Sequence, residues 1–250
     1  MVQLFIYAIT QAVTEYLPVS SSGHLAVLSH FFSFPDLFIF TTLHFASLIA
    51  VIIFFRKELW QLLRLTSFEN RRSLSLIFLG ILPAGIFGLL CHDLIEQMFG
   101  SMRAISIAYF ISACFLFATK FAVNKNKELS VKTVLIIGCA QVAALLPGIS
   151  RSGITISTGL LLGIEQKKAM TFSFLMYIPL AFAAFLKELL DDGVASINQE
   201  IFFPFIACII LSLICLKLLK VIIKKDFFWL FSIYCFAMMV LTFFISIKHV

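Results

Sequence analysis

The sequence predicts an all-α, polytopic membrane protein with six spanning helices and two re-entrant helix hairpins, arranged as an inverted-topology repeat. Three observations lead there. First, 61% of the 250 residues are hydrophobic and 13% charged, with a mean hydropathy of +1.06, and apolar runs long enough to cross ~30 Å of hydrocarbon recur along the chain. Second, the block Glu15-Tyr16-Leu17-Pro18-Val19-Ser20-Ser21-Ser22-Gly23-His24 interrupts one apolar stretch, and Leu146-Pro147-Gly148-Ile149-Ser150-Arg151-Ser152-Gly153 interrupts another. Lipid penalises unpaired polar groups, so each block belongs in a protected cavity, as two halves of one site. Third, the positions in and around the two blocks share a register: Gln11 and Gln141, Gly23 and Gly153, and Glu58 and Glu188 each lie 130 positions apart. Such self-similarity marks a duplication, with repeat 1 at about residues 1–120 and repeat 2 at about 131–250 of a single integral membrane domain.

In chain order, residues 1–33 are the first broken stretch. Its proline and serines leave halves too short to span, which reads as a hairpin that returns to the face it left. Runs 37–55, 73–91 and 101–120 are full-length crossings, 131–164 is the second broken stretch, and 169–186, 200–219 and 227–247 complete the six. Arg56, Lys57, Arg64, Arg71 and Arg72 follow the first crossing, and Lys120, Lys125, Lys127 and Lys132 follow the third. The positive-inside bias puts both groups in the cytoplasm, together with Lys167, Lys168, Lys217, Lys220, Lys224 and Lys225. Asp93, Glu96, Asp191 and Asp192 mark the external face. The first hairpin then enters from outside, the second from the cytoplasm, and the opposite orientations make the repeat inverted.

Residues 1–16 carry no Lys or Arg, unlike a secretory signal peptide, so the N-terminal segment is expected to be retained. The net charge of +6 follows from topology and calls for no nucleic-acid partner. Cys91, Cys114, Cys139, Cys208, Cys215 and Cys235 show no metal-ligand spacing and read as small buried hydrophobes. Gly80, Gly85 and Gly88 do not make the GxxxG spacing, which leaves a homodimer open.

The chemistry concentrates at the two breaks. Gln11 and Glu15 are four apart and share a helical face just before Pro18. Glu15 is a lone carboxylate at depth, which must be paired, protonated or metal-bound. Ser20, Ser21 and Ser22 open the next half-helix, where hydroxyls and free backbone N–H groups suit an anion such as phosphate. His24 lies three residues beyond Ser21, placed for acid–base work or for a hydrogen bond to a neighbour. Arg151, flanked by Ser150 and Ser152 with Thr155 a turn further on, is a permanent planar cation suited to clamping phosphate or to pairing with Glu15. His44, His92 with Asp93, and Gln141 are weaker signals, read as helix–helix bonds or interfacial anchors.

These residues, together with Phe55-Arg56-Lys57, Ile81-Leu82-Pro83-Ala84 and Phe172-Ser173-Phe174, resemble the undecaprenyl-diphosphate phosphatases of the bacitracin-resistance family. The resemblance implies a bacterial inner-membrane enzyme, with its site open to the external face, that removes one phosphate from undecaprenyl diphosphate and so recycles the lipid carrier of peptidoglycan synthesis. By position, it puts the catalytic groups at Glu15, Ser21, His24 and Arg151, and Gln11, Ser20, Ser22, Ser150, Ser152 and Thr155 around the diphosphate. It also implies stimulation by a divalent cation, Mg2+ or Ca2+, with Glu15 as a ligand, although Gln11 stands where many relatives carry Glu. Either a phosphoserine at Ser21 or direct attack by water is compatible with these residues, as is His24 or Glu15 taking the proton. Two rivals are a phosphatidic-acid phosphatase, suggested by Ser22-Gly23-His24 but lacking a His at position 157, where Ser stands, and a flippase of undecaprenyl phosphate.

Overall fold

A backbone in hydrocarbon has only itself for hydrogen bonding, and this chain answers with helices. The computed structural model describes residues 2–32, 37–91, 98, 100–192 and 199–248. Among them the first half runs α1 (Val2–Thr14), α2 (Ser21–Phe31), α3 (Leu37–Phe54), α4 (Arg56–Leu63), α5 (Phe68–Leu90) and α6 (Met102–Ala118). The second half runs α7 (Val131–Ala143), α8 (Arg151–Leu161), α9 (Gln166–Asp192), α10 (Phe202–Lys224) and α11 (Phe231–Lys248). Hydroxyl caps start several of these helices: Ser67 accepts from the Asn70 N–H, Ser101 from Ala104, and Ser130 forms a capping box with Thr133.

Five segments are long and apolar enough to cross a membrane: Phe68–Leu90, Met102–Phe121, Gln166–Lys187, Phe202–Lys224 and Phe228–Ile247. The crossing expected at 37–55 corresponds to the 18-residue α3, whose apolar portion Thr41–Phe54 falls in the shorter class. Both broken stretches consist of short helices, 13 and 11 residues in each. Large apolar side chains such as Phe78, Leu82, Leu89, Ile107, Phe110, Ile210, Ile214 and Phe244 face outward, far more exposed apolar surface than water would tolerate.

Helix boundaries depart from the apolar runs where charged residues extend them. Arg71 and Arg72, expected in a loop, lie in the first turns of α5, and Arg56, Lys57 and Glu58 open α4. α4 presents Trp60 outward under Arg64, whose guanidinium carbon lies 5.4 Å from the indole centroid, as befits a helix at a membrane interface. The connection between α6 and α7 is pinned to α9 by Lys168, whose ammonium donates to Glu128 at 2.5 Å and holds that carboxyl below its usual range. His92, Asp93 and Glu96 lie outside the described residues, as do the side chains of Glu188, Asp191 and Asp192.

Contacts give the helix directions. Phe45 stacks on Phe185 at 4.0 Å while Phe55 stacks on Phe174 at 5.6 Å, so α3 and α9 run antiparallel. Ser106 bonds the Met239 carbonyl while Lys120 lies over Trp229, so α6 and α11 also run antiparallel. In contrast α5 and α7 run parallel and very close: a Cβ on Gly138 would fall 2.4 Å from the Gly80 carbonyl oxygen. α1 packs on α10 and α3 around Tyr7, Ala8, Ala12, Leu43, Ala46 and Cys208. This lattice carries the two breaks, residues 15–20 and 144–150, into mutual contact.

Candidate active site

Glu15 is the hub. Its carboxylate is almost wholly buried, with the side chain 4% exposed, yet it accepts from three side chains. Gln11, one turn back on α1, donates from Nε2 to Oε2 at 3.0 Å. Ser21 Oγ, the first residue of α2, donates to the same oxygen at 2.6 Å. Arg151 Nη2, from the first residue of α8, donates to Oε1. A buried carboxylate with its lone pairs so occupied is the one condition under which burial is tolerable. His44 Nε2, on α3, stands 3.7 Å from Oε2. The first break thus brings an acid and a hydroxyl together, and the second adds a guanidinium.

Backbone geometry explains how Ser21 reaches Glu15. Ser20 sits at φ 64, in the left-handed region that costs a non-glycine residue energy. This reverses the chain after Pro18, and Ser20 Oγ recovers a bond by capping the Gly23 N–H at 3.2 Å. The second break turns at Gly148, with φ +99, where a Cβ would meet the Ile105 carbonyl at 2.7 Å, so only glycine fits. Ser150 then caps the Gly153 N–H at 3.1 Å. Arg151 extends from that cap, with its guanidinium carbon 3.7 Å from the centroid of the Tyr177 ring. Above the ring, Nη2 still donates to Glu15, and the side chain keeps 21% exposure.

The remaining predicted residues are placed as follows. Ser20 and Ser22 bond each other at 3.2 Å, as do Ser150 and Ser152 at 3.3 Å. Ser152 also donates to the Tyr16 carbonyl, tying the two breaks together. Thr155 bonds the Arg151 carbonyl at 2.7 Å and Ser173 Oγ at 2.6 Å. Ser20, Ser150, Ser152 and Thr155 are all buried, and these bonds hold the two helix starts in place. His24 is held by aromatic neighbours: Nδ1 lies 2.7 Å from the Ser20 carbonyl and 3.0 Å from Tyr109 OH, and Nε2 lies 2.6 Å from Tyr234 OH. With Nδ1–H donated to the carbonyl, Nε2 is the acceptor for Tyr234. Its bonds go to these groups, whereas Ser21 bonds to Glu15.

Sequence reasoning missed the tyrosines and Ser47. Four of the five tyrosines touch this region: Tyr16 donates to the Ser47 carbonyl at 2.6 Å, Tyr177 lies under Arg151, and Tyr109 and Tyr234 bracket His24. The signal was available, since a phenol among thirty phenylalanines carries a hydroxyl that needs a partner in lipid. His44, ranked among the weaker signals, belongs beside Glu15.

A family model, "Bacitracin resistance protein BacA", matches residues 4–241. The chain belongs to this bacitracin-resistance family. Among its relatives, an "Undecaprenyl-diphosphatase" of Elusimicrobium minutum is 38% identical over 248 residues, 95% of each chain. Another of the same name, from Thermosipho africanus, is 35% identical over 96% of this chain and 98% of its own. An "Undecaprenyl-diphosphatase 2" of Bacillus thuringiensis is 35% identical over 97% and 96%. In this member of the family both polar motifs fall inside the matched region, and the two meet at Glu15.

For a divalent cation, the donors at this site are Glu15 and Gln11. Among the described residues, no group of three His, Cys, Asp or Glu side chains converges. Gln11 Oε1, however, is buried without a hydrogen-bond partner, on the amide whose Nε2 donates to Glu15. An amide oxygen and one carboxylate suit a hard cation that takes its remaining ligands from water and a substrate phosphate.

Proposed function

We propose that this membrane enzyme hydrolyses undecaprenyl diphosphate to undecaprenyl phosphate and inorganic phosphate, recycling the lipid carrier of peptidoglycan synthesis and conferring bacitracin resistance. The observation that carries the mechanism is the bridge Ser21–Glu15–Arg151, which pairs a hydroxyl nucleophile with a base and the base with a phosphate-binding cation. Arg151 exchanges Glu15 for the oxygens of the terminal phosphate as the headgroup enters, guided by its stacking on Tyr177. Released from Arg151, Glu15 becomes the stronger base for Ser21. Ser21 Oγ attacks the terminal phosphorus, its proton passes to Glu15, and the bridging P–O bond breaks to release undecaprenyl phosphate. As water attacks the serine phosphate, Glu15 returns its proton to the departing Ser21 oxygen and the proton of the attacking water goes to the inorganic phosphate that leaves, which regenerates Ser21 and the Glu15 carboxylate.

The N-terminal N–H groups of α2 and α8, one at the end of each break, join Arg151 in neutralising the phosphoryl oxygens in the transition state. Ser20, Ser22, Ser150, Ser152 and Thr155 shape that diphosphate cradle by holding the two helix starts, and Gln11 orients Glu15. His24, bonded to the Ser20 carbonyl, Tyr109 and Tyr234, holds the start of α2 and so positions Ser21. Glu15 and Gln11 would hold a Mg2+ or Ca2+ ion, which would supply further neutralisation of the diphosphate.

A cavity of about 400 Å3 lined by Val13, Leu17, Val19, Phe231 and Tyr234 lies behind the first break. Its apolar walls suit a stretch of the prenyl chain. The reading includes six crossings with α3 as the first, two re-entrant hairpins related by an inverted repeat, a site open to the external side of the bacterial inner membrane, and room for a homodimer. The antiparallel pairs α3–α9 and α6–α11 support the inversion.

Purified protein in detergent should release phosphate from undecaprenyl diphosphate, and rapid-quench labelling should trap phosphate on Ser21. Binding of undecaprenyl phosphate with no phosphate release would favour the flippase instead. Phosphate release without any labelled Ser21 would move the nucleophile to water.

A further inference from the structure

A second cavity, of about 460 Å3, shares no residue with the Glu15 site. It opens where the C-terminal ends of α3 and α10 meet the N-terminal end of α9. Five cations converge on it: Arg56 at the start of α4, Lys167 in the first turn of α9, and Lys217, Lys220 and Lys224 on α10. The α10 lysines are spaced three and four apart, so they form one stripe facing the space. Only Glu58 and Glu165 offset them in the lining. Among the described residues, none of the five cations has a carboxylate within ion-pairing distance. Arg56 bonds the Ile53 carbonyl at 2.9 Å, and Lys220 lies 5.9 Å from the Phe54 ring centroid.

Topology alone does not require this arrangement. Positive charge that orients a helix can scatter along the chain, and Lys57, Arg64, Lys125 and Lys127 stand outside this lining. Convergence of five like charges on one concavity raises the energy of the empty protein, and an anion relieves it. Phe54, Met170, Leu213 and Ile223 form the apolar part of the wall, which matches a ligand with a charged head and an apolar stem.

We propose that this cavity is a binding site for a phosphate-bearing anion, either a lipid phosphate monoester or free inorganic phosphate, at the basic end of the molecule and separate from Glu15 and Arg151. The proposal does not depend on the hydrolytic mechanism.

The test uses the full chain in detergent micelles with two photoreactive probes of identical acyl chains, phosphatidic acid and phosphatidylcholine, and peptide mapping of the labelled segments. A parallel arm measures binding of radiolabelled inorganic phosphate by equilibrium dialysis. The variants are Lys217→Gln/Lys220→Gln/Lys224→Gln and, on a different element, Arg56→Gln. Phosphatidic acid should label residues 213–224 well above phosphatidylcholine, and the triple variant should weaken that labelling at least about tenfold. Phosphate release from undecaprenyl diphosphate should stay within about twofold of the parent, which also verifies folding. Labelling that resists millimolar inorganic phosphate identifies the lipid source; dialysis binding that both variants abolish identifies free phosphate. Equal labelling by the two lipids together with no phosphate binding, or binding unchanged in both variants, overturns the proposal.

Discussion

The two breaks are built on the same frame and carry different chemistry. In each, a serine caps the N–H three residues on, at 3.2 Å from Ser20 and 3.1 Å from Ser150, and in each that serine bonds the one two residues later. At the shared register the reactive positions diverge: Glu15 corresponds to Leu145, Ser21 to Arg151, His24 to Ile154, and Ser47 to Tyr177. What the halves hold in common therefore starts helices, and what they do not share assembles the site. A diphosphate has two unlike demands, a nucleophile for phosphorus and a cation for its oxygens, and an asymmetric pair of turns can answer both.

Substitution should have its largest effects at the asymmetric positions. Arg151→Ala should lower kcat/KM by at least about a thousandfold in a phosphate-release assay, because the change removes the clamp and strands a buried carboxylate. Arg151→Lys should recover little of it, since a point-charge ammonium lacks the planar fork that covers the Tyr177 ring while donating to an oxyanion. Ser21→Ala should cost roughly a hundredfold or more, with the loss in kcat. Retention of near-parent activity by either alanine variant would remove the bridge from the mechanism.

The glutamines give a sharper contrast of intermediate size. Gln11 bonds Glu15 and Ser47, whereas both polar side-chain atoms of Gln141 are buried without a partner. Gln11→Leu should reduce activity about tenfold. Gln141→Leu, at the corresponding position, should leave activity intact and raise the melting temperature in detergent, because it removes an unsatisfied polar group. The smallest and most symmetric effect belongs to the caps. Ser20→Ala and Ser150→Ala should each cost about 1 kcal/mol in stability, read as similar shifts in melting temperature. A tenfold larger activity loss in one than in the other would show that the caps are not equivalent.

Much of the site was legible from residue types and spacing. Gln11 and Glu15 stand one helical turn apart and do bond; Pro18 and the serines do end one helix and start another; the register of 130 does align the helices of the two halves. Local rules govern those features, because turns, caps and apolar length act over a few residues. The partner of each side chain was less accessible. His24 was within reach of Ser21 along α2 but is held by Tyr109 and Tyr234, the latter 210 positions away, and His44 reaches Glu15 from another helix. The charged extension of α5 through Arg71 and Arg72 escaped an apolar-run reading because Ser67 caps the helix before hydrophobicity begins.

By itself the sequence determined that this chain is helical, membrane-embedded and twice interrupted by polar turns, since hydropathy, proline and hydroxyl caps act locally and lipid permits few alternatives. Tertiary structure alone decided that Arg151 meets Glu15, that Tyr177 steers it, and that the repeated serines serve as caps. Those outcomes depend on how helices far apart in the chain pack, as where Gly138 lets α7 close against α5, and packing is settled by the shapes of both partners at once.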